Sequence, residues 1–142
     1  MRHPPLHILL VEDDEIDAEQ LLRAFRQHQI TNPVTHVIDG VDALYALRGE
    51  GGYPRLPRPY IIILDINMPR MNGLEFLQAL RRDPELKRSV VFILTTSARD
   101  EDIMAAYNEQ IAGYLLKSKV NQEFLEFIKL LNLYHVMVEL PR

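Results

Sequence analysis

Two groups of acidic residues stand directly behind short apolar runs, and they are the residues of this chain best suited to chemistry. Glu12, Asp13 and Asp14 follow residues 6–11, and Asp65 follows residues 60–64. An apolar run of strand length is most stable when buried in a sheet, so each acidic group should lie where a strand leaves the core. If the two strands are neighbours, their carboxylates converge and repel one another, which favours a hard divalent cation. The pattern therefore indicates metal-assisted phosphoryl chemistry.

Five apolar runs of strand length alternate with five amphipathic segments. The segments between and after the runs carry apolar residues at helical spacing, beginning at Ala18, Val41, Leu74, Ile103 and Phe124. Strict alternation of strands and helices predicts an α/β domain with a parallel sheet and helices on both faces. The predicted strands are Leu6–Val11, Val34–Ile38, Tyr60–Leu64, Val90–Leu94 and Gly113–Leu116.

Local signals place the helix starts and the loops. Asp14 is predicted to cap the first helix, and Asp100 precedes the fourth. Residues 49–59 hold three Gly and three Pro without periodicity. They predict a surface loop rather than a linker, because too little chain lies on either side for two cores. We therefore expect a single domain over residues 1–142, with a C-terminal extension from about 135 to 142.

Composition excludes several classes of protein. At 142 residues, 47% hydrophobic and 25% charged, the chain resembles an ordinary globular domain. Its net charge of -4 argues against nucleic-acid binding, which needs clustered Lys and Arg. The absence of cysteine excludes disulfide and thiol chemistry. Because no apolar stretch reaches the roughly 20 residues of a membrane span and no signal-peptide segment is seen, we expect a cytoplasmic protein without a membrane partner.

Topology and chemistry select the same place. In open parallel sheets, ligands bind at the carboxyl ends of strands, where the strand order reverses. With the order 2-1-3-4-5, this point falls between the first and third strands. Those are the strands that end in the acidic groups at residues 12–14 and 65.

Four motifs resemble the receiver domain of two-component response regulators, in order and spacing, over essentially the whole chain. They are Val11-Glu12-Asp13-Asp14, Leu64-Asp65-Ile66-Asn67-Met68-Pro69 with Gly73, Leu94-Thr95-Thr96, and Gly113-Tyr114-Leu115-Leu116-Lys117. The resemblance implies the flavodoxin-like receiver fold, a five-stranded sheet of order 2-1-3-4-5. It also implies a phosphoacceptor that catalyses its own phosphorylation and dephosphorylation, and not an enzyme that turns over external substrates.

The resemblance assigns roles at the acidic strand ends. Asp65 would be the phosphoacceptor, since a carboxylate at a strand end can attack phosphorus in line. Asp13 would bind Mg²⁺ directly, Glu12 would act through a bound water, and the Asn67 backbone carbonyl would be a further ligand. Asp14 is interpreted as the helix cap, although a register in which Asp13 and Asp14 form the acidic pair is also possible.

The remaining roles fall on the fourth and fifth strands. Thr95 would donate to a phosphoryl oxygen, and Lys117 would meet the phosphoryl group as a point charge. Tyr114 matches the family's aromatic switch, with half-buried packing as the alternative. One residue departs from the family, which usually has a cis proline after the lysine. Ser118 stands there instead, so the bond is either a strained cis bond or a relaxed trans bond.

The implied partners are a histidine kinase and a second copy of the chain. The Lys117–Ser118 junction, the loop at 49–59 and the extended tail are similar to single-domain regulators that partner phytochrome-type photoreceptor kinases. Leu125, Leu130 and Leu133 lie off the main apolar stripe of the fifth helix, and the tail at 136–140 is apolar. These features predict a homodimer through helix 4, strand 5, helix 5 and the tail.

Three other functions compete with this interpretation. A phosphatase with an aspartyl nucleophile would place two aspartates one residue apart after strand one, where this chain has Glu12-Asp13-Asp14. A flavodoxin-like electron carrier would need a phosphate-binding loop there, and these acids would repel phosphate. The third is a receiver-like interaction module that is never phosphorylated, which would share every motif.

Overall fold

The five predicted strands form one parallel sheet. The computed structural model describes residues 5–119, 125–126 and 128–130. The strand order is β2-β1-β3-β4-β5, as predicted, and all four pairings are parallel. The strands are β1 (His7–Val11), β2 (Val34–Val37), β3 (Tyr60–Leu64), β4 (Val90–Thr95) and β5 (Gly113–Leu116).

Four helices with full bounds follow the first four strands. They are α1 (Glu15–Gln27), α2 (Gly40–Arg48), α3 (Gly73–Arg82) and α4 (Asp100–Asn108). A short 3₁₀ turn, Lys117–Lys119, follows β5, and residues 125–126 and 128–130 are helical. Of the predicted fifth helix, Phe124, Phe127 and Leu131 lie outside the described residues. So does the predicted C-terminal extension.

Two apolar cores, one on each face of the sheet, confirm that helices cover both sides. Residues of α2, α3 and α4 pack against one face, around Leu9, Ile62 and Phe76. Residues of α1, with Leu125 and Ile128, pack against the other, around Ile8 and Ile63. All five residues of β3 are buried, because alternate side chains enter opposite cores.

Side-chain caps fix three of the four helix starts. Asp14 accepts hydrogen bonds from the Ile16 and Asp17 N–H groups, which confirms its predicted capping role. Asp39 caps α2, and Asn72 forms a capping box with Glu75 at the start of α3. The prediction for Asp100 was wrong. Asp100 is the first residue of α4, and Arg99 occupies the cap position without a side-chain cap bond.

Two predictions about apolar faces were also wrong. Helical spacing placed Ile103, Ala106 and Tyr107 on one apolar face of the fourth helix; Ala106 is buried as that spacing predicts, but Tyr107 is 50% exposed. Leu125 was placed off the stripe of the fifth helix, but it is buried in the core beside α1. Both errors arise because a short helix packed on a twisted sheet buries a face that spacing alone does not select.

Candidate functional site

The carboxyl ends of β1 and β3 bring the acidic residues together. Val11 and Leu64 are register partners, and the Asp65 N–H donates to the Val11 carbonyl at 3.0 Å. Carboxylate oxygens of Glu12, Asp13 and Asp65 all lie within 4.8 Å of one another. Glu12 and Asp65 are buried, and Asp13 is exposed to solvent. The predicted convergence of acids from the two strands is present.

Lys117 enters this acidic group from the end of β5. Its Nζ contacts a Glu12 carboxylate oxygen, lies 2.7 Å from Asp17 Oδ2 and lies 3.5 Å from Asp65 Oδ2. Burial alone would lower the pKa of Lys117, but the contacts with Asp17 and Glu12 outweigh burial and raise it. The lysine therefore stays charged and offsets the repulsion among the carboxylates.

The pKa of Glu12 is raised from its ordinary value of 4.5 to about 7. Burial is the largest cause, because a carboxylate loses hydration next to the apolar strand. The contact with Lys117 lowers the pKa, while the neighbouring Asp65 carboxylate raises it again. Near neutral pH, Glu12 therefore exchanges between a protonated and a charged form.

The donor set fits a divalent cation of the Mg²⁺ type. Carboxylate oxygens are hard ligands, and Mg²⁺ typically takes one or two of them and keeps several waters. The exposed Asp13 leaves one side of the group open to solvent, as such waters require. Lys117 already neutralises part of the charge, and a cation at the same oxygens would neutralise the rest.

The loop between β3 and α3 carries Asn67 and presses close to Asp65. Asn67 is exposed, while the Ile66 N–H donates to Asp65 Oδ1 at 2.8 Å. The Gly73 N–H returns to the Ile66 carbonyl at 2.8 Å. A methyl group at Gly73 would overlap the Asp65 carbonyl oxygen, so glycine is needed for α3 to start this close to the acidic group.

A chain of contacts leads from Thr95 toward α4 and β5. Thr95 is fully buried at the end of β4, and its Oγ1 accepts a long hydrogen bond of 3.4 Å from the Ser97 N–H. The Tyr114 hydroxyl donates to the Ser97 carbonyl at 2.8 Å. The Ser97 hydroxyl donates to Asp102 in the first turn of α4 at 2.5 Å. Thr95 is thus linked to Tyr114 and α4 through Ser97.

The bond between Lys117 and Ser118 is trans. Within the part of the chain that the structure describes, the only cis peptide bond joins Arg58 to Pro59. Of the two conformations considered for this junction, the relaxed one is present. Lys117 still reaches Glu12 and Asp65, so the trans bond does not move it away from the acidic group.

Sequence reasoning missed two features of this region. Asp17, in the first turn of α1, binds Lys117, and its place shortly after a strand-ending acidic group could have suggested that contact. Asp39 binds Arg70 across the chain, with 2.6 Å between its Oδ2 and the arginine Nε. No local pattern predicts that second pair, because it depends on how the loop after β3 lies against α2.

Comparison with known proteins places the chain in one family. Residues 8–129 match the model of the response regulator receiver domain. The response regulator Rcp1 of Synechocystis sp. is 34% identical over 127 residues, covering 89% of this chain and 86% of Rcp1. The probable methanogenesis regulatory protein FilR2 of Methanothrix harundinacea is 39% identical over 114 residues, covering 80% and 72% of the two chains.

Solved structures agree with these sequence relatives. The Mn²⁺-bound form of Rcp1 has a TM-score of 0.79 at 32% identity, covering 97% of this chain and 100% of its own. The phosphorylated cyanobacterial phytochrome response regulator RcpA has a TM-score of 0.81 at 32% identity, with 98% and 100% covered. The bacteriophytochrome response regulator AtBRR has a TM-score of 0.74 at 30% identity, covering 91% and 93%.

The fold and the acidic strand ends define a receiver domain, and the chain belongs to the response regulator receiver domain family. It is a signalling domain of two-component phosphorelays. Members of this family pair with histidine kinases. Its relatives include regulators linked to phytochromes. None of the helices in the described ranges combines the length and apolarity that crossing a membrane requires.

Proposed function

We propose that the protein accepts a phosphoryl group from the phosphohistidine of a histidine kinase onto the carboxylate of Asp65. The observation that carries this proposal is that residues at the ends of β1, β3 and β5 come together in one site. Asp65 lies within 4.8 Å of the carboxylates of Glu12 and Asp13, and 3.5 Å from the ammonium of Lys117. A buried nucleophile beside both a cation-binding group and a fixed positive charge suits attack on an anionic phosphoryl group.

The transfer exchanges one bond to phosphorus for another. A carboxylate oxygen of Asp65 forms the new P–O bond while the P–N bond to the kinase histidine breaks, and the imidazole leaves with the electron pair. Lys117 offsets the charge of the arriving phosphoryl group as a point charge. Asp13, Asp65 and the Asn67 carbonyl would hold Mg²⁺ directly and Glu12 would act through a bound water, and the ion would supply further charge neutralisation.

The output follows from the link between Thr95 and the face of α4 and β5. A phosphoryl group on Asp65 offers an acceptor to the Thr95 O–H, and movement of Thr95 toward it would break the long bond that Thr95 Oγ1 accepts from the Ser97 N–H. Because Ser97 also holds Tyr114 and Asp102, its movement alters how α4 packs beside β5. Tyr114 acts as the switch, and phosphorylation shifts the population between two arrangements of this face.

The proposal extends to partners and location. The names of RcpA and AtBRR support a phytochrome-type photoreceptor as the kinase for this chain. Met104, Tyr107 and Leu130 are exposed by 50–66% on α4 and the segment 125–130, which supports the homodimer. The further residues of that interface, Leu133 and the tail at 136–140, lie outside the described residues. Membership of the family supports a cytoplasmic location.

Intact mass after incubation with acetyl phosphate and Mg²⁺ tests the phosphoacceptor. We expect one added phosphoryl group on the wild type and none on Asp65→Asn or in the presence of a chelator. Asp100→Asn is the matched control, because it makes the same change on the exposed first turn of α4. If the wild type binds Mg²⁺ but gains no mass, the protein is instead an interaction module that signals without phosphorylation.

A further inference from the structure

An ion pair ties the loop after β3 to the start of α2. The Arg70 Nε lies 2.6 Å from Asp39 Oδ2, and its Nη2 lies 3.2 Å from Asp42 Oδ1. Arg70 sits in the loop that carries Asn67, and Asp39 caps α2. The pair thus joins the loop on which part of the cation site depends to a helix that carries none of the site residues.

Burial and two contacts fix the side chain of Asp39 in place. Its side chain is 1% exposed, and Oδ1 accepts the Asp42 N–H at 2.9 Å. Burial alone would raise the pKa of Asp39, but the bonds from Arg70 and the Asp42 N–H outweigh it and lower the pKa. A buried carboxylate that is capped on one oxygen and ion-paired on the other is a fixed anchor.

Arg70 accepts an unfavourable backbone conformation to reach this anchor. Its φ is 60°, in the left-handed region that an arginine rarely adopts. The next residue of the loop, Met71, also binds the start of α2, because its carbonyl accepts a hydrogen bond from the Gly40 N–H at 3.0 Å. A methyl group at Gly40 would lie 2.7 Å from Met71 Cγ, so the loop lies directly against the helix start. Both contacts hold the same side of the loop.

The other side of the loop is held at Asp65. Gly73 donates to the Ile66 carbonyl, and Ile66 donates to Asp65 Oδ1. Asn67 lies between these two attachments, exposed and next to the acidic group. Mg²⁺ requires near-ideal octahedral geometry, so its affinity depends on how closely the loop is fixed. Substitution of a residue that orients a metal ligand typically weakens metal affinity by about 10–100-fold.

We propose that the Asp39–Arg70 ion pair positions the loop 66–72 for cation binding, and that Arg70 and Asp39 are therefore positioning residues for phosphorylation. This inference rests on the function proposed above for Asp65. The side-chain contacts of Arg70 and Asp39 given above involve none of the carboxylates of Glu12, Asp13 and Asp65. It acts by holding the Asn67 carbonyl and the Asp65 carboxylate in one relative orientation.

The test separates metal affinity from stability. Arg70→Ala, Arg70→Gly and Arg70→Lys are compared with the wild type for Mg²⁺ affinity by calorimetry, for Mn²⁺ affinity by electron paramagnetic resonance, and for Tm. Arg48→Ala is the matched control, because Arg48 pairs with Asp83 at 3.1 Å at the opposite end of α2. Each variant is also treated with acetyl phosphate and followed by intact mass.

We expect Arg70→Ala to weaken Mg²⁺ and Mn²⁺ binding by about 10-fold, with Arg70→Lys between it and the wild type. Glycine suits the left-handed backbone, so Arg70→Gly should regain Tm relative to alanine yet keep the weak metal affinity. Phosphorylation of the variants should recover when Mg²⁺ is raised in proportion. Arg48→Ala should lower Tm without changing metal affinity.

Two results would overturn the inference. One is a metal affinity for Arg70→Ala and Arg70→Gly within twofold of the wild type. The other is an equal loss of affinity in Arg48→Ala, which would make the pair an ordinary stabilising contact. Failure of the proposed function is distinguishable, because it would appear as a wild type that binds Mg²⁺ normally and gains no phosphoryl mass.

Discussion

Lys117 connects three carboxylates that come from different parts of the chain. Asp17 belongs to α1, Glu12 follows β1 and Asp65 follows β3. Removal of one partner would leave unbalanced charge near a buried strand end, which is costly. The contacts with Asp17 and Glu12 occupy the ammonium in the described structure. A phosphoryl group on Asp65, as proposed above, would compete with Asp17 and Glu12 for that ammonium.

The raised pKa of Glu12 predicts a pH dependence of stability without metal. The folded protein holds this proton with a pKa of about 7, against an ordinary value of 4.5. The contribution of Glu12 to stability is therefore present below pH 4.5 and is lost as pH rises through about 7. In chelator, the free energy of unfolding should fall by on the order of 1–3 kcal/mol across this range, and Glu12→Gln should flatten it.

The same group predicts the opposite trend for the effect of Mg²⁺. Because proton and cation compete for Glu12, the Tm gain from Mg²⁺ should shrink as the pH falls from about 8 to about 6. Paired thermal scans with Mg²⁺ and with chelator measure this gain. A gain that stays constant over the range, or one that Glu12→Gln leaves as steep as in the wild type, would contradict the assignment.

Sequence predicted the contacts that follow from where strands end, and it missed those that depend on long-range side-chain geometry or on the path of a loop. Glu12, Asp13 and Asp65 could be placed together because parallel strands end at one edge of the sheet. The attachment of Lys117 to Asp17 was missed, because it joins residues 100 positions apart and only the place of Asp17 shortly after the acidic end of β1 hints at it. The Asp39–Arg70 pair likewise depends on an arginine backbone at φ 60°, which no local signal predicts.

The elements are joined at the opposite end of the sheet by the guanidinium of Arg81. It donates from α3 to four backbone carbonyls at 2.7–3.0 Å, which belong to Lys87, Ser89, Glu109 and Gln110. Two of these lie before β4 and two follow α4. Arg81 therefore fixes the C-terminal end of α4, while the other end of that helix is tied to Ser97. The movement of Ser97 proposed above would therefore act on a helix with one fixed end.

Arg81→Ala should destabilise the protein by about 2–4 kcal/mol, because several carbonyls would lose a charged donor at once. Urea unfolding monitored by circular dichroism gives the value. Arg82→Ala, at the exposed neighbouring position, should change stability by less than about 0.5 kcal/mol. Equal losses of stability in the two variants would show that the hydrogen bonds of Arg81 to the four carbonyls do not stabilise the protein more than an exposed arginine does.

The bounds of the strands were predicted from sequence more accurately than the buried faces of the helices. The bounds of β3 and β5 match the prediction, and β1, β2 and β4 each differ by one residue at one end. Those strands are continuous apolar runs between helices, which leaves little ambiguity. Spacing placed both Ala106 and Tyr107 on the apolar face of α4, but only Ala106 is buried, and Leu125 is buried although spacing placed it off the apolar stripe. The buried face of a short helix is set by the neighbour it meets, which spacing does not encode.

At the scale of the whole molecule, the exposed apolar side chains predict self-association. Met104 is 66% exposed and Tyr107 is 50% exposed on α4. Light scattering at micromolar concentration should therefore give twice the chain mass of 16.5 kDa. Met104→Glu should shift the protein toward the monomer, because a charge in an apolar interface is costly to bury.

Ile16→Glu is the matched control for that experiment, since Ile16 is 70% exposed on α1, which is not one of the elements of the proposed interface. It should leave the dimer intact. A wild-type mass equal to one chain would contradict the dimer. A dimer disrupted equally by both substitutions would move the interface away from α4. Repeating the measurement after acetyl phosphate treatment shows whether phosphorylation changes the association.

The double burial of β3 has a consequence for how the protein opens. Its five residues lie between both apolar cores and pair with β1 on one side and β4 on the other. Its amide protons should therefore exchange with deuterium only through global unfolding, whereas those near α4 exchange through smaller local openings. Asp65, the proposed phosphoacceptor, directly follows the strand expected to exchange most slowly, whereas the proposed output surface on α4 is expected to exchange faster.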